Sequence, residues 1–382
     1  MSAVGRSRWR GLLAIMLAAS IFGITYGLSA PLIALELARR GHGELFIGAN
    51  AAMQALGILT VARMLPRLAG RWGMQRLLVL ALLLSGLVLM LFPFAAAWGL
   101  LLWFPLRYLL GTASESVLVT TESWVNQLGE ERSRARTIAA YTAAVSAGMA
   151  LGPLLLGHLG TGDAQPFLVG AALAFAACLV VLVVRPSTVA MEERPGGSLL
   201  ATARLAPLAF AATALNAALE TAGLTFLPMY AMKLGWSEQG ATGLVTTLLV
   251  GAIVLQLPIG WLGDRFDRRG LMLLLSVLSA LTAMAWPAAM AITWLGHALL
   301  FFWGGMFVGI YTLAVTSVGA RYSGHELVRI YAGLSVAFGI GALLGPLLAG
   351  ATMSGAHHGL PVFACVACAA FAILAWRSRS AV

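Results

Sequence analysis

Charge is scarce in this chain. Of its 382 residues only 10% are Asp, Glu, Lys or Arg, whereas 60% are hydrophobic. A soluble domain carries about 25% charged residues, so the scarcity excludes a water-soluble globular fold. A mean hydropathy of +0.91 points instead to an integral membrane protein. Lysine is nearly absent, with Lys233 the single example. No GxxxxGK[ST] phosphate loop occurs, which sets aside ATP-driven pumping by this chain. No HExxH stretch occurs either, and the chain is read as a non-enzyme. Cysteine is limited to Cys178, Cys365 and Cys368, all in apolar stretches, so no disulfide framework is expected. Cys365 and Cys368 form a CxxC without histidine or acidic companions, a pattern of helix packing rather than of metal or redox chemistry. Acidic residues number 14 against 24 basic ones, a net charge of +10. The basic residues are dispersed among short loops, which argues against nucleic acid and for membrane lipid and topology.

What the chain has is apolar runs of about 20 residues, each long enough to cross a bilayer. They fall near 11–35, 45–66, 76–97, 99–122, 136–158 and 165–184, then near 206–231, 239–262, 270–291, 294–318, 328–352 and 360–376. The expected fold is therefore an all-α membrane protein of twelve transmembrane helices in two pseudo-symmetric six-helix bundles. The first run is longer than a signal-peptide core and contains Tyr26 and Pro31, so it is read as a retained helix. Residues 1–184 form the expected N-terminal bundle and 206–382 the C-terminal one. Between them, 185–205 carries two prolines, a glycine pair and mixed charge, the composition of a cytoplasmic linker. With the N-terminus inside, nineteen arginines from Arg6 to Arg379 face the cytoplasm, and Arg39, Arg40 and Lys233 face outward. This bias places both termini in the cytoplasm. The arginine-rich, short-looped composition suggests a bacterial inner membrane.

The halves echo each other. Gly148-x-x-x-Gly152-Pro153 returns as Gly341-x-x-x-Gly345-Pro346, an offset of 193, and PRLAGRWGMQR at 66–76 returns as GWLGDRFDRRG at 260–270, an offset of 194. Two motifs at nearly one offset indicate duplication of a six-helix unit.

These residues carry a family resemblance. The chain resembles the major facilitator superfamily over essentially its whole length. GWLGDRFDRRG is similar to that family's cytoplasmic loop signature, Arg107-x-x-x-Gly111 to its fourth-helix signature, and GMALGPLLLG to its fifth-helix antiporter signature. ESWVN at 122–126 and LPMYAMKLGWSEQGATGL at 227–244 resemble the YcaD-type subgroup. The resemblance implies alternating access, with helices 1, 4, 7 and 10 lining a central cavity.

The polar census, taken from the residues alone, agrees. At 100° per residue, Glu115 and Glu122 lie about 80° and 60° round the fourth helix from Arg107. One face of a membrane helix thus carries an arginine and two carboxylates. Charge in lipid costs several kcal/mol, so this stripe should face protein or a watery cavity. The seventh helix adds Glu220 with Thr213 and Asn216; helices 1 and 10 add Thr25, Tyr26, Ser29, Tyr311, Thr312 and Thr316. Desolvation penalises a carboxylate, which makes Glu115 and Glu220 candidate proton carriers. Arg107 is the candidate counter-charge or substrate anchor. It stands about 12 Å along the helix from Glu115, so Glu220 of the other half is the nearer expected partner. Phe22, Tyr26, Trp103, Tyr108, Asn216, Glu220, Tyr311 and Thr312 are the candidate substrate contacts.

Glu122 is a candidate gate residue, and Trp124 reads as an interface anchor. Gly260 is expected to allow a tight approach in the 260–270 loop and Asp264 to cap a helix of the opposite half. Arg265, Arg268 and Arg269 are expected to reach acids such as Glu130 and Glu131 as a cytoplasmic latch. Asp267 stands where the family usually has glycine. The two GxxxGP runs suit helices that rock between packings. Five histidines, His42, His158, His297, His357 and His358, read as polar loop filling at the outer face, and no metal or cofactor is expected. The partners are then a small amphipathic or anionic organic substrate, protons and lipid, and the expected state is a monomer. The antiporter signature tilts direction toward efflux; import of a nutrient, cofactor or metal is the alternative.

Overall fold

The computed structural model describes residues 3–128, 134–184 and 199–378. Glu130, Glu131, Arg132, Arg185, Arg194, Arg379 and most of the 185–205 linker lie outside them, as do the side chains of Arg6, Arg8, Arg10 and Arg134. Every described element is helical. The first half of the chain holds α1 (Ala3–Arg39), α2 (Glu44–Ala62), α3 (Leu65–Trp72), α4 (Met74–Trp98), α5 (Trp103–Leu128), α6 (Arg134–Leu159) and α7 (Gln165–Val184). The second holds α8 (Leu199–Leu205), α9 (Pro207–Lys233), α10 (Glu238–Val254), α11 (Gln256–Arg265), α12 (Arg268–Met284) and α13 (Trp286–Ala289). It continues with α14 (Thr293–Arg321), α15 (Gly324–Gly355) and α16 (Gly359–Arg377).

Among the described residues ten spans are long and apolar enough to cross a membrane, α10 and α11 together forming one of them. Two more helices complete the twelve. α5 has the length, 26 residues, but carries Arg107, Glu115 and Glu122. α12 has 17 residues and is followed directly by α13. α5 is thus set apart from the other long helices by its charge.

The chain packs as two units. One comprises Met1–Ile33 and Met53–Glu193; the other comprises Ala34–Ala52 and Arg194–Val382. In the first unit α1 and α6 meet backbone to backbone. A Cβ on Gly152 would stand 2.5 Å from the Leu28 nitrogen and 2.6 Å from the Ile24 oxygen, and one on Gly148 would overlap the Ser20 carbonyl. In the second unit α15 meets α9 in the same way: Gly341 lies on the Ala214 carbonyl and Gly345 on that of Ala218. The repeated GxxxGP motif therefore makes one repeated contact, which only glycine permits. The outer end of α2 also packs within the second unit. Gly48 abuts the Pro346 carbonyl, and Glu44 pairs with Lys233 of α9.

Aromatic side chains fill what the small residues leave. In the first unit Trp103 is fully buried, edge-on to Phe92 at 5.1 Å, with Phe167 stacked on Phe92 at 5.8 Å. In the second, Trp303 packs against Trp286 at 4.8 Å and Phe307 at 4.9 Å and donates its Nε1–H to the Ser279 carbonyl. Two expectations change here. Trp103, read as a substrate contact, sits fully buried in this aromatic core. Trp124, with 0% exposure, is a core residue and no interface anchor.

Candidate functional site

α5 presents its charges at graded depth. Arg107 is 3% exposed. Its Nη1 donates to the Ser29 carbonyl of α1 at 3.4 Å, and its Nε has no hydrogen-bond partner among the described residues. It makes no ion pair among them either. A guanidinium enclosed with an open donor is costly, so the arginine is held near α1 with capacity left for an acceptor. Glu115, two turns on, is half-buried, and Glu122 is exposed. The Glu122 carbonyl accepts from Asn126 Nδ2 at 3.1 Å, and α5 continues past the expected end of the span to Leu128.

Gly111 explains how the arginine comes so close to its neighbours. A Cβ there would overlap the Gln54 carbonyl, so α2 and α5 touch along their backbones one turn below Arg107. Gln54 and Asn50 are both buried on α2, and the side-chain amide nitrogen of each lacks a partner among the described residues. Neither was singled out from sequence. The signal was present: two amides one turn apart in an otherwise apolar span. Tyr108, on the adjoining face of α5, shares a hydrogen bond of 2.8 Å with Thr60 of α2. On α1, Phe22 is buried in the first unit's core, 5.9 Å ring to ring from the half-buried Tyr26.

The second unit carries its own polar group on α9. Asn216 is buried, and its Nδ2 donates to Oε2 of Glu220 at 3.4 Å, one turn away. The Asn216 Oδ1 has no partner among the described residues. Thr213 returns its hydroxyl to the Ala209 carbonyl, and Thr312 of α14 does the same to Val308, beside the half-buried Tyr311. Each unit therefore holds a carboxyl within a long helix, Glu115 on α5 and Glu220 on α9, the latter bonded to the Asn216 amide.

The segment read as a loop at 260–270 is mostly helix. α11 runs to Arg265 and α12 begins at Arg268. Gly260 meets nothing within 4 Å among the described residues, so no tight approach explains it here. Asp264 is exposed and pairs with Arg268 of its own unit at 3.4 Å. Arg268 also donates to the carbonyls of Gly263 and Thr316, at 3.0 and 3.3 Å. Arg269 closes the end of α16 through the Ala375 and Trp376 carbonyls, at 2.8 and 2.7 Å. Arg265 lies 3.9 Å over the Trp261 ring. Asp267, in the family's glycine position, accepts the Gly270 N–H at 2.7 Å and caps α12. Its first-half counterpart, Gly73, has φ +81° and joins α3 to α4. Capping last-turn carbonyls with a guanidinium is favourable. Arg269→Ala should therefore lower stability by about 1–2 kcal/mol, read as a lower midpoint in detergent thermal melts. Arg265→Ala should cost less than about 1 kcal/mol.

Two histidines at helix ends are engaged in the fold: His297 Nδ1 bonds Thr247 at 2.8 Å and His358 Nδ1 bonds Tyr230 at 2.9 Å. Among the described residues no three of His, Cys, Asp or Glu gather as a metal set.

Comparison with known proteins bears on what this arrangement belongs to. The family model described as "Major Facilitator Superfamily" matches residues 15–244 and 208–381. The chain is 26% identical over 346 residues to the uncharacterized MFS-type transporter YfkF of Bacillus subtilis (strain 168), covering 88% of this chain and 87% of that protein. It is 27% identical over 291 residues to the uncharacterized MFS-type transporter YcaD of Shigella flexneri serotype 5b (strain 8401), covering 74% and 73%. In fold it is similar to a crystal structure of a mutant of the nucleoside transporter NupG. The TM-score is 0.80 at 13% identity, over 97% of this chain and 100% of the other. Helix count, duplicated motifs and family match agree, and the chain belongs to the Major Facilitator Superfamily, as a multi-pass membrane transporter resembling the YcaD type.

Proposed function

We propose that this secondary transporter exports a small amphipathic or anionic organic molecule in exchange for protons, by alternating access. Arg107 carries the reading: a buried guanidinium in a membrane span, tied to one backbone carbonyl, with no ion pair among the described residues and an open Nε. Such a group suits a substrate carboxylate or other acceptor better than a purely structural role, for which a satisfied pair is the rule. The open amide of Gln54 in the same unit adds a donor. Tyr26, Tyr108, Tyr311 and Thr312 supply amphipathic surface for the organic part. Glu115 and Glu220 are the proton carriers, one in each unit. A carboxyl out of water exchanges its proton against the local cation and amide, which links protonation to substrate occupancy.

The protein works as a monomer in a bacterial inner membrane, with both termini cytoplasmic. Import of a nutrient, cofactor or metal is the second reading. One observation favours it: the antiporter-like motif of α6 makes the same backbone contact as its repeat in α15, so it serves packing in both units. Purified protein in liposomes with an internal pH-sensitive dye separates these readings. Dyes, drugs, organic acids, vitamins and copper are added singly. Export by antiport is expected as proton flow opposite to substrate; co-directional flow means symport, and substrate movement without protons refutes the coupling.

A further inference from the structure

We propose that the turn between α2 and α4 is a binding surface for the headgroup of an anionic phospholipid, built by Arg63, Arg67, Arg71 and Arg76. All four side chains are exposed. Among the described residues, none of the four makes a side-chain hydrogen bond or an ion pair. No Asp or Glu occurs between Glu44 and Glu115, so no acid within that stretch neutralises them.

The duplicated half provides an internal comparison. In its copy of this segment, Asp264 and Asp267 accompany the arginines; Arg268 and Arg269 bond carbonyls of their own unit, and Arg265 covers Trp261. There the basic residues are satisfied inside the protein. Here, among the described residues, they are left open. A topology signal accounts for the count of arginines but not for this difference.

Position selects lipid as the occupant. α2 and α4 both cross the membrane, so the turn lies at headgroup depth. α3 buries Leu65 and Ala69 in the first unit's core. Arg67 and Arg71 stand one turn apart, about 6 Å between their Cβ atoms. Met64 and Trp72, at the two ends of α3, are 54% and 41% exposed. A free phosphate would use the guanidinium groups alone. A phospholipid uses these as well, because its glycerol and acyl region meets the thioether and indole while its phosphodiester takes the forked donors. Each arginine near an anionic headgroup is worth about fivefold in affinity. The surface involves no substrate residue and does not depend on the proposed coupling.

Native mass spectrometry of the full chain in detergent tests it, with phosphatidylglycerol, phosphatidylcholine and inorganic phosphate added separately and in competition. Wild type should retain phosphatidylglycerol in preference to phosphatidylcholine. Arg67→Gln with Arg71→Gln, which leaves Arg63 and Arg76 to support insertion, should weaken that retention about 25-fold. Arg67→Lys with Arg71→Lys should weaken it far less, and Arg265→Gln should leave it unchanged. Should the glutamine pair fail to fold, salt titration of wild type decides: phosphatidylglycerol should dissociate with rising salt and phosphatidylcholine should not. Equal retention of both lipids, an unaffected glutamine pair, or salt-insensitive retention would overturn the proposal. So would inorganic phosphate that binds with the same arginine dependence and displaces the lipid, which would assign the patch to a soluble anion.

Discussion

Glu220→Gln should abolish substrate-driven proton flux in liposomes, down to the level of empty vesicles, while the protein still inserts and accumulates normally. Glutamine has the shape of glutamate and keeps an oxygen to accept from Asn216 Nδ2, the 3.4 Å bond of the native side chain. What it loses is the exchangeable proton. A fall in flux without a fall in folded protein therefore reads protonation and not packing. Glu115→Gln is the companion, on the half-buried site of α5. Loss in only one variant assigns the coupling to that carboxyl. Unchanged proton flux in both would remove the proton role and return the two glutamates to structural polar partners.

Bulk at the paired glycines should have the largest effect on stability. Gly152→Val puts three carbons where the Leu28 nitrogen and Gly27 carbonyl carbon lie 2.5 and 2.6 Å from a first Cβ. The obstacle is backbone, so no rotamer change relieves it, and α1 and α6 must separate. Overpacking of this kind costs about 3 kcal/mol or more. Gly345→Val should do the same to α15 and α9 through the Ala218 backbone. Gly243, inside α10, is the control: a Cβ there meets nothing within 4 Å among the described residues. Gly243→Ala should be neutral or stabilise by about 0.5–1 kcal/mol. Thermal melts and the yield of monodisperse protein report all three. A Gly152→Val variant melting like wild type would mean that the α1–α6 contact is not a close one.

The spans were legible because bilayer thickness imposes a length and an apolarity that short windows of sequence reveal. The GxxxGP contact was legible too, since close backbone approach leaves a trace of small residues in both copies. α5 announced itself by charge. What sequence concealed depends on long-range partners. The pairing of Glu44 with Lys233 joins residues far apart in the chain, and nothing local indicates it. Trp103 and Trp124 were misplaced because an aromatic near a helix end suits an interface or a core equally, and only packing decides. The arginines of the 260–270 segment were assigned to a latch by resemblance. Glu130 and Glu131 lie outside the described residues; the described bonds of Arg268 and Arg269 to carbonyls stay within their own unit, those of Arg269 reaching Ala375 and Trp376 in the last turn of α16. Gln54 and Asn50 passed unnoticed in the apolar span of α2, although buried amides are as informative as buried charges.

Solute counterflow tests the central claim, secondary transport by alternating access, most directly. Liposomes containing the purified protein are loaded with an unlabelled substrate, diluted into labelled substrate, and given neither nucleotide nor ion gradient. The predicted result is transient uptake of label above its equilibrium level, because a carrier returns occupied. Glu220→Gln should retain this exchange even as it loses proton-driven movement. Uptake that only approaches equilibrium, or that requires nucleotide, would contradict the account.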